Sequence, residues 1–181
     1  FINALAEELG NEWCVDLRRV FASGHSNGSA FTGFLGCVPP YRFAAIAMVA
    51  ATIPSSCPPD HRPSVLALSG DADQTVPYDG GGVGGEGAVG IPPALETMQS
   101  YRDSYGCASE PKVDTLEPGV RRDSGVDCTD GARVDLITVI GGTHSWPGGL
   151  GASVDPNTSD AGRDFSATDA ILDFFESVPP A

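Results

Sequence analysis

The serine of Gly24-His25-Ser26-Asn27-Gly28 is the residue of this chain best placed for nucleophilic chemistry. The pattern G-x-S-x-G is typical of a nucleophile elbow, a sharp turn that holds a serine in a strained backbone conformation. Such a turn leaves room only for small residues two positions on either side, and Gly24 and Gly28 meet that demand. Because 23 glycines make the pattern common by chance, the prediction of Ser26 as nucleophile depends on its partners.

Three histidines are candidates for the general base. His25 adjoins the nucleophile on the turn and cannot readily swing back to its hydroxyl, so we predict that it lines the substrate site. His61 lies in a proline-rich loop and is typical of a surface histidine. His144 follows the β-rich run 134–140, where a loop at the carboxyl edge of a sheet can carry it over the serine. We therefore predict His144 as the base.

Two aspartates follow the apolar run 64–69, between the nucleophile and the base in chain order. Asp71 comes directly after the run and suits a turn cap, whereas Asp73 lies further out towards the histidine loop. We predict that Asp73 orients the base, with Asp71 as the alternative. The resulting order Ser26, Asp73, His144 is that of α/β-hydrolases.

Other residues are predicted to complete the site. The amide of Asn27, at the start of the following helix, is predicted to bind the oxyanion of the reaction. Trp146 is predicted to border the substrate cleft, although packing beside Pro147 is an equal alternative. The segment 79–90 holds seven glycines in twelve residues and is predicted to be a mobile surface loop without regular structure.

The elements around these residues indicate an α/β protein. The apolar runs 43–51 and 64–69 lack polar alternation, which is typical of parallel strands covered by helices on both faces. A strand at 20–23 precedes the elbow. Helices are predicted at about 1–10, about 27–37, from Pro93 onward and at 166–177. We predict one α/β-hydrolase domain over residues 1–181, with a mostly parallel sheet and helices on both of its faces.

Composition limits the partners and the compartment. The formal charge of -14 disfavours nucleic acid and anionic membrane surfaces, and the longest apolar run, 43–53, is far shorter than the roughly 20 residues of a membrane span. No metal-ligand spacing and no cofactor motif is present, so we predict no metal and no cofactor. Five cysteines beside a single lysine indicate a secreted protein.

The cysteine pattern leaves two pairings open. Cys14 precedes the elbow strand and Cys37 ends the elbow helix, so both are expected at the lower sheet edge within bridging range. Cys57 would then pair with a residue outside this chain. A bond between Cys37 and Cys57 is the alternative.

Several segments resemble the extracellular polyhydroxybutyrate depolymerase and feruloyl esterase family, which also includes some acetylxylan esterases. The resemblance runs from Phe1 to Pro180, and its most specific segments are 13–16, 19–28 and 42–47. Residues 69–78 are similar to the family's H-G-x-x-D-x-x-V-P-Y, which implies Asp73 as the acid, and residues 141–149 to its G-G-x-H-x-W-P-G-G. Ser69 and Ser29 depart from the pattern, where histidine and glycine are usual.

The resemblance implies further features. It implies a disulfide between Cys107 and Cys128. It also implies an earlier stretch of roughly one hundred residues or fewer, with the first strands and a loop that gives the second oxyanion donor. The chain is therefore expected to be the C-terminal two thirds of a domain, with the N-terminal strands and oxyanion loop missing. By itself it is expected to be feebly active and poorly soluble, because an edge of its sheet is left unpaired.

These observations predict a secreted serine esterase that forms an acyl-enzyme and acts on a polyester or on an ester linked to plant polysaccharide. One alternative is a serine peptidase of the prolyl-oligopeptidase type, against which the W-P-G-G segment argues. Another is a non-catalytic relic or binding domain, against which the intact Ser26, Asp73 and His144 argue.

Overall fold

A computed structural model describes residues 1–38, 43–53, 57–58, 62–83 and 89–181. Its main sheet has six strands in the order β1-β2-β3-β8-β7-β6, of which the first four run parallel and the last two antiparallel to their neighbours. The strands are β1 Phe21–His25, β2 Ala45–Val49, β3 Ser64–Gly70, β6 Lys112–Glu117, β7 Val120–Ser124 and β8 Val134–Val139. The helices are α1 Ile2–Glu12, α2 Asn27–Gly36, α3 Ala94–Ser104, α4 Leu150–Val154, α5 Asp160–Asp164 and α6 Ala167–Ser177, with a 3-10 turn at Thr129–Gly131.

The central strands β2, β3 and β8 are buried along their whole length. Because side chains alternate across a strand, each strand contributes to two cores. On one face Leu66 and Leu68 pack in a cluster with Phe174 of α6, and on the other Val65 packs in a cluster with Met98 of α3. The prediction of a mostly parallel sheet covered on both faces is confirmed.

The glycine-rich segment contains more structure than its composition predicts. Gly81–Val83 (β4) pairs antiparallel with Val89–Ile91 (β5), so the prediction that 79–90 holds no regular element is wrong at both ends. Backbone pairing requires no side chains, and Gly80 adopts a φ of 79° at the entrance to β4. Residues 84–88 lie outside the described part of the chain.

The disulfides are Cys37–Cys57 and Cys107–Cys128. The prediction that Cys14 pairs with Cys37 is wrong, because Cys14 is a free, exposed thiol in the segment after α1. Cys37 lies at the end of α2, and its Cα is 4.4 Å from that of Cys57. The alternative pairing, Cys37 with Cys57, is therefore the one that the structure contains.

The two edges of the sheet differ in the side chains that surround them, which are charged at one edge and apolar at the other. At one end the hairpin of β6 and β7 carries charged side chains. At the other, β1 pairs within the described chain with β2 alone, and the nearby helix α2 exposes Phe31 and Phe34. None of the described helices has the length and apolar character needed to cross a membrane.

Candidate active site

Ser26 lies on a tight turn between β1 and α2. Its φ and ψ are 56° and -119°, and such a positive φ is uncommon for a residue with a side chain. Its N–H donates to the carbonyl of Val49 at the end of β2, with a distance of 2.9 Å. Strain of this kind persists where surrounding structure holds it, and here the neighbouring strand and the helix start both do so.

The two glycines of the elbow differ in what they require. A Cβ at Gly24 would lie 2.2 Å from the carbonyl oxygen of Gly28 and 2.7 Å from the hydroxyl of Thr32, so a side chain does not fit. A Cβ at Gly28 would have no atom within 4 Å. The prediction that both positions must be small is therefore wrong for Gly28. It is the backbone carbonyl of Gly28 that lies close to Gly24, and a side chain at Gly28 would not enter this contact.

A continuous chain of hydrogen bonds links three of the predicted residues. Nε2 of His144 lies 2.7 Å from Oγ of Ser26, and Nδ1 lies 2.7 Å from Oδ2 of Asp73. In the tautomer that donates from Nδ1, Nε2 accepts the serine proton. The side chain of Asp73 is 2% exposed, and its other oxygen accepts the N–H groups of Thr75 and Val76 at 2.8 and 2.9 Å. This arrangement can move a proton from a hydroxyl to an imidazole whose orientation is fixed.

The loops after β3 and β8 are joined to each other. The N–H of Gly141 donates to Asp71 at 2.5 Å, and that of Ala72 donates to the carbonyl of Gly142 at 3.0 Å. A Cβ at Gly70 would lie 2.1 Å from the same carbonyl oxygen, so the backbones approach too closely for any side chain. Asp71 thus holds the two loops together, whereas Asp73 is the aspartate that contacts His144.

The residue before His144 is fixed by a segment that the sequence did not single out. Thr143 donates its hydroxyl to Asp155 at 2.6 Å, and its N–H donates to the buried hydroxyl of Thr158 at 3.3 Å. The other oxygen of Asp155 accepts the N–H of Asn157 at 2.9 Å. The hydrogen bond from Thr143, followed by that from Asn157, lowers the pKa of the Asp155 carboxyl. The sequence pattern that could have drawn attention to this segment is Asp-Pro-Asn at 155–157, which is typical of a turn.

His25 lies beside the histidine of the hydrogen-bonded chain. The centroids of the His25 and His144 rings are 5.1 Å apart, and Nε2 of His25 is buried without a hydrogen-bond partner in the described part of the molecule. Burial, and then the proximity of His144, lower the pKa of His25. The geometry therefore favours a neutral ring at this position.

The other residues considered for the site are Asn27, Trp146 and His61. Asn27 is the exposed first residue of α2, where backbone N–H groups are free of helical partners. Trp146 is partly buried against the core, and its indole N–H donates to Thr168 of α6 at 3.0 Å. His61 lies outside the described residues.

A cavity of about 370 Å³ opens beside the histidine. Its lining residues come from the loops after β3 and β8 and from the segment after α4, and they are Ala72, Gln74, Thr75, Thr143, His144, Asp155 and Asn157. Trp146 is not among them. Within the described residues, no group of three or more His, Cys, Asp or Glu side chains is arranged to hold a metal ion.

Comparison with known proteins finds esterases. No family model matches the chain. It is 31% identical over 192 residues to esterase NocK of Nocardia uniformis subsp. tsuyamanensis, covering 96% of this chain and 56% of that protein. It is 32% identical to feruloyl esterase C of Emericella nidulans, covering 88% and 54%, and 29% identical to feruloyl esterase B of Piromyces equi, covering 80% and 28%. The chain thus spans about half or less of the length of these relatives.

The fold is similar to that of a solved esterase structure. The acetyl xylan esterase from Aspergillus awamori matches with a TM-score of 0.58 at 16% identity, over 97% of this chain and 65% of that one. None of these relatives is named a polyhydroxybutyrate depolymerase, so that part of the resemblance stays a prediction. The resemblance to feruloyl esterases is confirmed, and this chain is a relative of the feruloyl-esterase-like proteins with an α/β-hydrolase-like fold.

Proposed function

We propose that this chain carries the catalytic residues of a serine carboxylic-ester hydrolase of the feruloyl esterase type. The observation that carries the proposal is the hydrogen-bonded chain from the Ser26 hydroxyl through His144 to the buried Asp73. Relatives named esterases support an ester as the substrate. The strained turn under Ser26 supports its role as nucleophile, since such strain clusters at functional sites.

The reaction proceeds through an acyl-enzyme. Oγ of Ser26 attacks the ester carbonyl carbon while its proton passes to Nε2 of His144, and the carboxylate of Asp73 stabilises the imidazolium that forms. The N–H of Asn27 at the start of α2 stabilises the negative charge on the carbonyl oxygen. His144 then returns the proton to the leaving alcohol as the ester C–O bond breaks. In the second half, water attacks the acyl-enzyme, His144 accepts its proton, and the carboxylic acid leaves as Ser26 is reprotonated.

The acyl group is ferulate, acetate or 3-hydroxybutyrate, each of which matches part of the sequence resemblance. His25 lines the acyl site as a neutral ring. The two disulfides support a secreted protein, because such bonds persist in oxidising compartments. The reaction takes no cofactor, since side chains of the protein supply the nucleophile and the base, and the backbone N–H of Asn27 supplies the oxyanion donor.

The test is hydrolysis of p-nitrophenyl acetate by the protein and its Ser26→Ala variant, together with labelling by a fluorophosphonate. The matched control is Ser23→Ala, which removes an exposed hydroxyl from the same strand. We expect kcat/KM to fall by about 10⁴-fold or more for Ser26→Ala, with labelling lost, and to be unchanged for Ser23→Ala. Equal rates for all three proteins would refute the nucleophile and favour a binding domain. The rates of hydrolysis are then compared for four candidate substrates, which are methyl ferulate, acetylxylan, polyhydroxybutyrate and a peptide.

A further inference from the structure

The cavity beside His144 is lined almost entirely by polar side chains. Six of its seven lining residues carry a hydrogen-bonding group, and the exception, Ala72, contributes one methyl group. Most small-molecule sites are instead largely apolar with a few polar groups. An aromatic or aliphatic group gains little by entering this cavity, whereas a hydroxyl-rich group finds donors and acceptors on several walls.

The mechanism determines which part of the ester enters this cavity. The general acid must come within about 2.6 to 3.2 Å of the leaving oxygen in order to protonate it. The alcohol part of the substrate therefore lies against His144, and the cavity that shares His144 as a wall is on that side. The acyl part remains bonded to Ser26 after the alcohol has left.

One residue of the cavity wall carries a negative charge. Among the described residues, Asp155 is the only carboxylate that lines the cavity, and no lysine or arginine lines it. Asp73 is hydrogen-bonded to His144 and does not line the cavity. Arg163 lies close to Asp155, and the Arg163 guanidinium donates to the backbone carbonyl of Asp155 and to the carboxylate of Asp160, each at 3.1 Å. The hydrogen bonds to its two oxygens keep Asp155 ionised.

We infer that Asp155 makes this cavity a charge-selective site for the alcohol part of the ester. It accepts neutral, hydroxylated alcohols and disfavours alcohols that carry a carboxylate. This inference rests on the proposed esterase function and names a residue that sets its specificity. For a polyester of hydroxy acids, the last ester bond of a free chain has a carboxylate on its alcohol side, so internal ester bonds are cleaved in preference to that one.

The test compares 4-acetoxybenzamide with 4-acetoxybenzoate, which share an acyl group and differ in the charge of the leaving group. Each kcat/KM is divided by the rate constant for hydroxide-catalysed hydrolysis of the same ester, which removes the difference in chemical reactivity. At low ionic strength we expect the neutral ester to be preferred by about 3- to 10-fold, and the preference to shrink in about 0.5 M NaCl. In Asp155→Asn, which keeps an acceptor oxygen for Thr143, we expect a ratio near one.

Two further variants separate charge from local structure. Asp160→Asn removes an exposed carboxylate that also contacts Arg163 but does not line the cavity, and we expect the wild-type preference. Gln74→Lys adds a cation to the cavity wall and leaves the contacts of Thr143 intact, so we expect the preference to reverse even if Asp155→Asn is poorly folded.

The outcomes distinguish this inference from the proposed function. If neither ester is hydrolysed in a manner that depends on Ser26, the esterase function itself is wrong. Suppose instead that the ester bond of 4-acetoxybenzamide is hydrolysed with that dependence. If the wild-type protein then shows no preference between the two esters, or if Gln74→Lys leaves the preference unchanged, charge selection by the cavity is wrong while the esterase function stands.

Discussion

Asp73 and His144 follow strands in the middle of the sheet, whereas Ser26 follows β1, which pairs within the described chain with β2 alone. The acid and base half of the site is held by several segments, because its two loops are hydrogen-bonded to each other and to the segment after α4. The nucleophile half is held by one neighbouring strand and by its own helix. The site therefore has a rigid half, which holds the acid and the base, and a half that depends on the turn itself.

The largest expected effect separates the two aspartates of the rigid half. Asp73→Asn removes the carboxylate that orients His144, and we expect kcat to fall by about 10⁴-fold. Asp71→Asn keeps an acceptor for the N–H of Gly141, and we expect less than about a tenfold change. Steady-state kinetics on p-nitrophenyl acetate measure both. A reversed order would assign the acid to Asp71.

The next effect tests the elbow in the other half. Gly24→Ala forces a Cβ against the Gly28 carbonyl, and we expect kcat/KM to fall at least about 100-fold and the free energy of unfolding to fall by about 1 to 3 kcal/mol. Gly28→Ala places its methyl group in open space within a helix, and we expect stability to be retained or raised by up to about 1 kcal/mol. Urea unfolding and kinetics on both variants check the asymmetry. Similar losses in both would show that Gly28 is covered in the protein.

The two disulfides are expected to contribute equally to stability. Cys37–Cys57 and Cys107–Cys128 join residues separated by 20 and 21 positions, so loop entropy predicts about 3 kcal/mol for each. We expect the paired Cys→Ser variants to lower the free energy of unfolding by similar amounts in urea titrations. A difference above about 2 kcal/mol would mean that local packing, and not chain entropy, sets their contribution.

Much of the rigid half was predictable from the sequence. The apolar runs at β2 and β3 indicated buried parallel strands, and the polar residues that follow β3 and β8 include the pair that the structure brings together, Asp73 and His144. The sequence offered the pairing of Cys37 with Cys57 only as one of two alternatives, and it showed only a turn pattern at 155–157. Neither that pairing nor the contact between Thr143 and Asp155 could be chosen from it, because both join segments whose path depends on tertiary packing rather than on local pattern.

The partly buried histidine of the elbow, His25, gives a pH effect on stability. Burial lowers the pKa of His25 below its ordinary 6.5, so the unfolded chain takes up a proton at a higher pH than the folded one. Stability is therefore fully present above about pH 6.5 and declines as the pH falls below it, until the folded pKa is reached. We expect His25→Gln to flatten this decline in urea titrations between about pH 8 and pH 5. An unchanged slope would assign the decline to other groups.

The smallest expected effect concerns the exposed apolar side chains of α2. Phe31 and Phe34 are 51% and 57% exposed, and Leu172 on α6 is 54% exposed. Because exposed side chains contribute little to folding, we expect serine at any of these positions to change the free energy of unfolding by at most about 0.5 kcal/mol. We also expect the Phe31 and Phe34 variants to self-associate less in sedimentation experiments. A loss above about 2 kcal/mol at the phenylalanines but not at Leu172 would show that further protein surface covers α2, and the nucleophile half would then be held as firmly as the other.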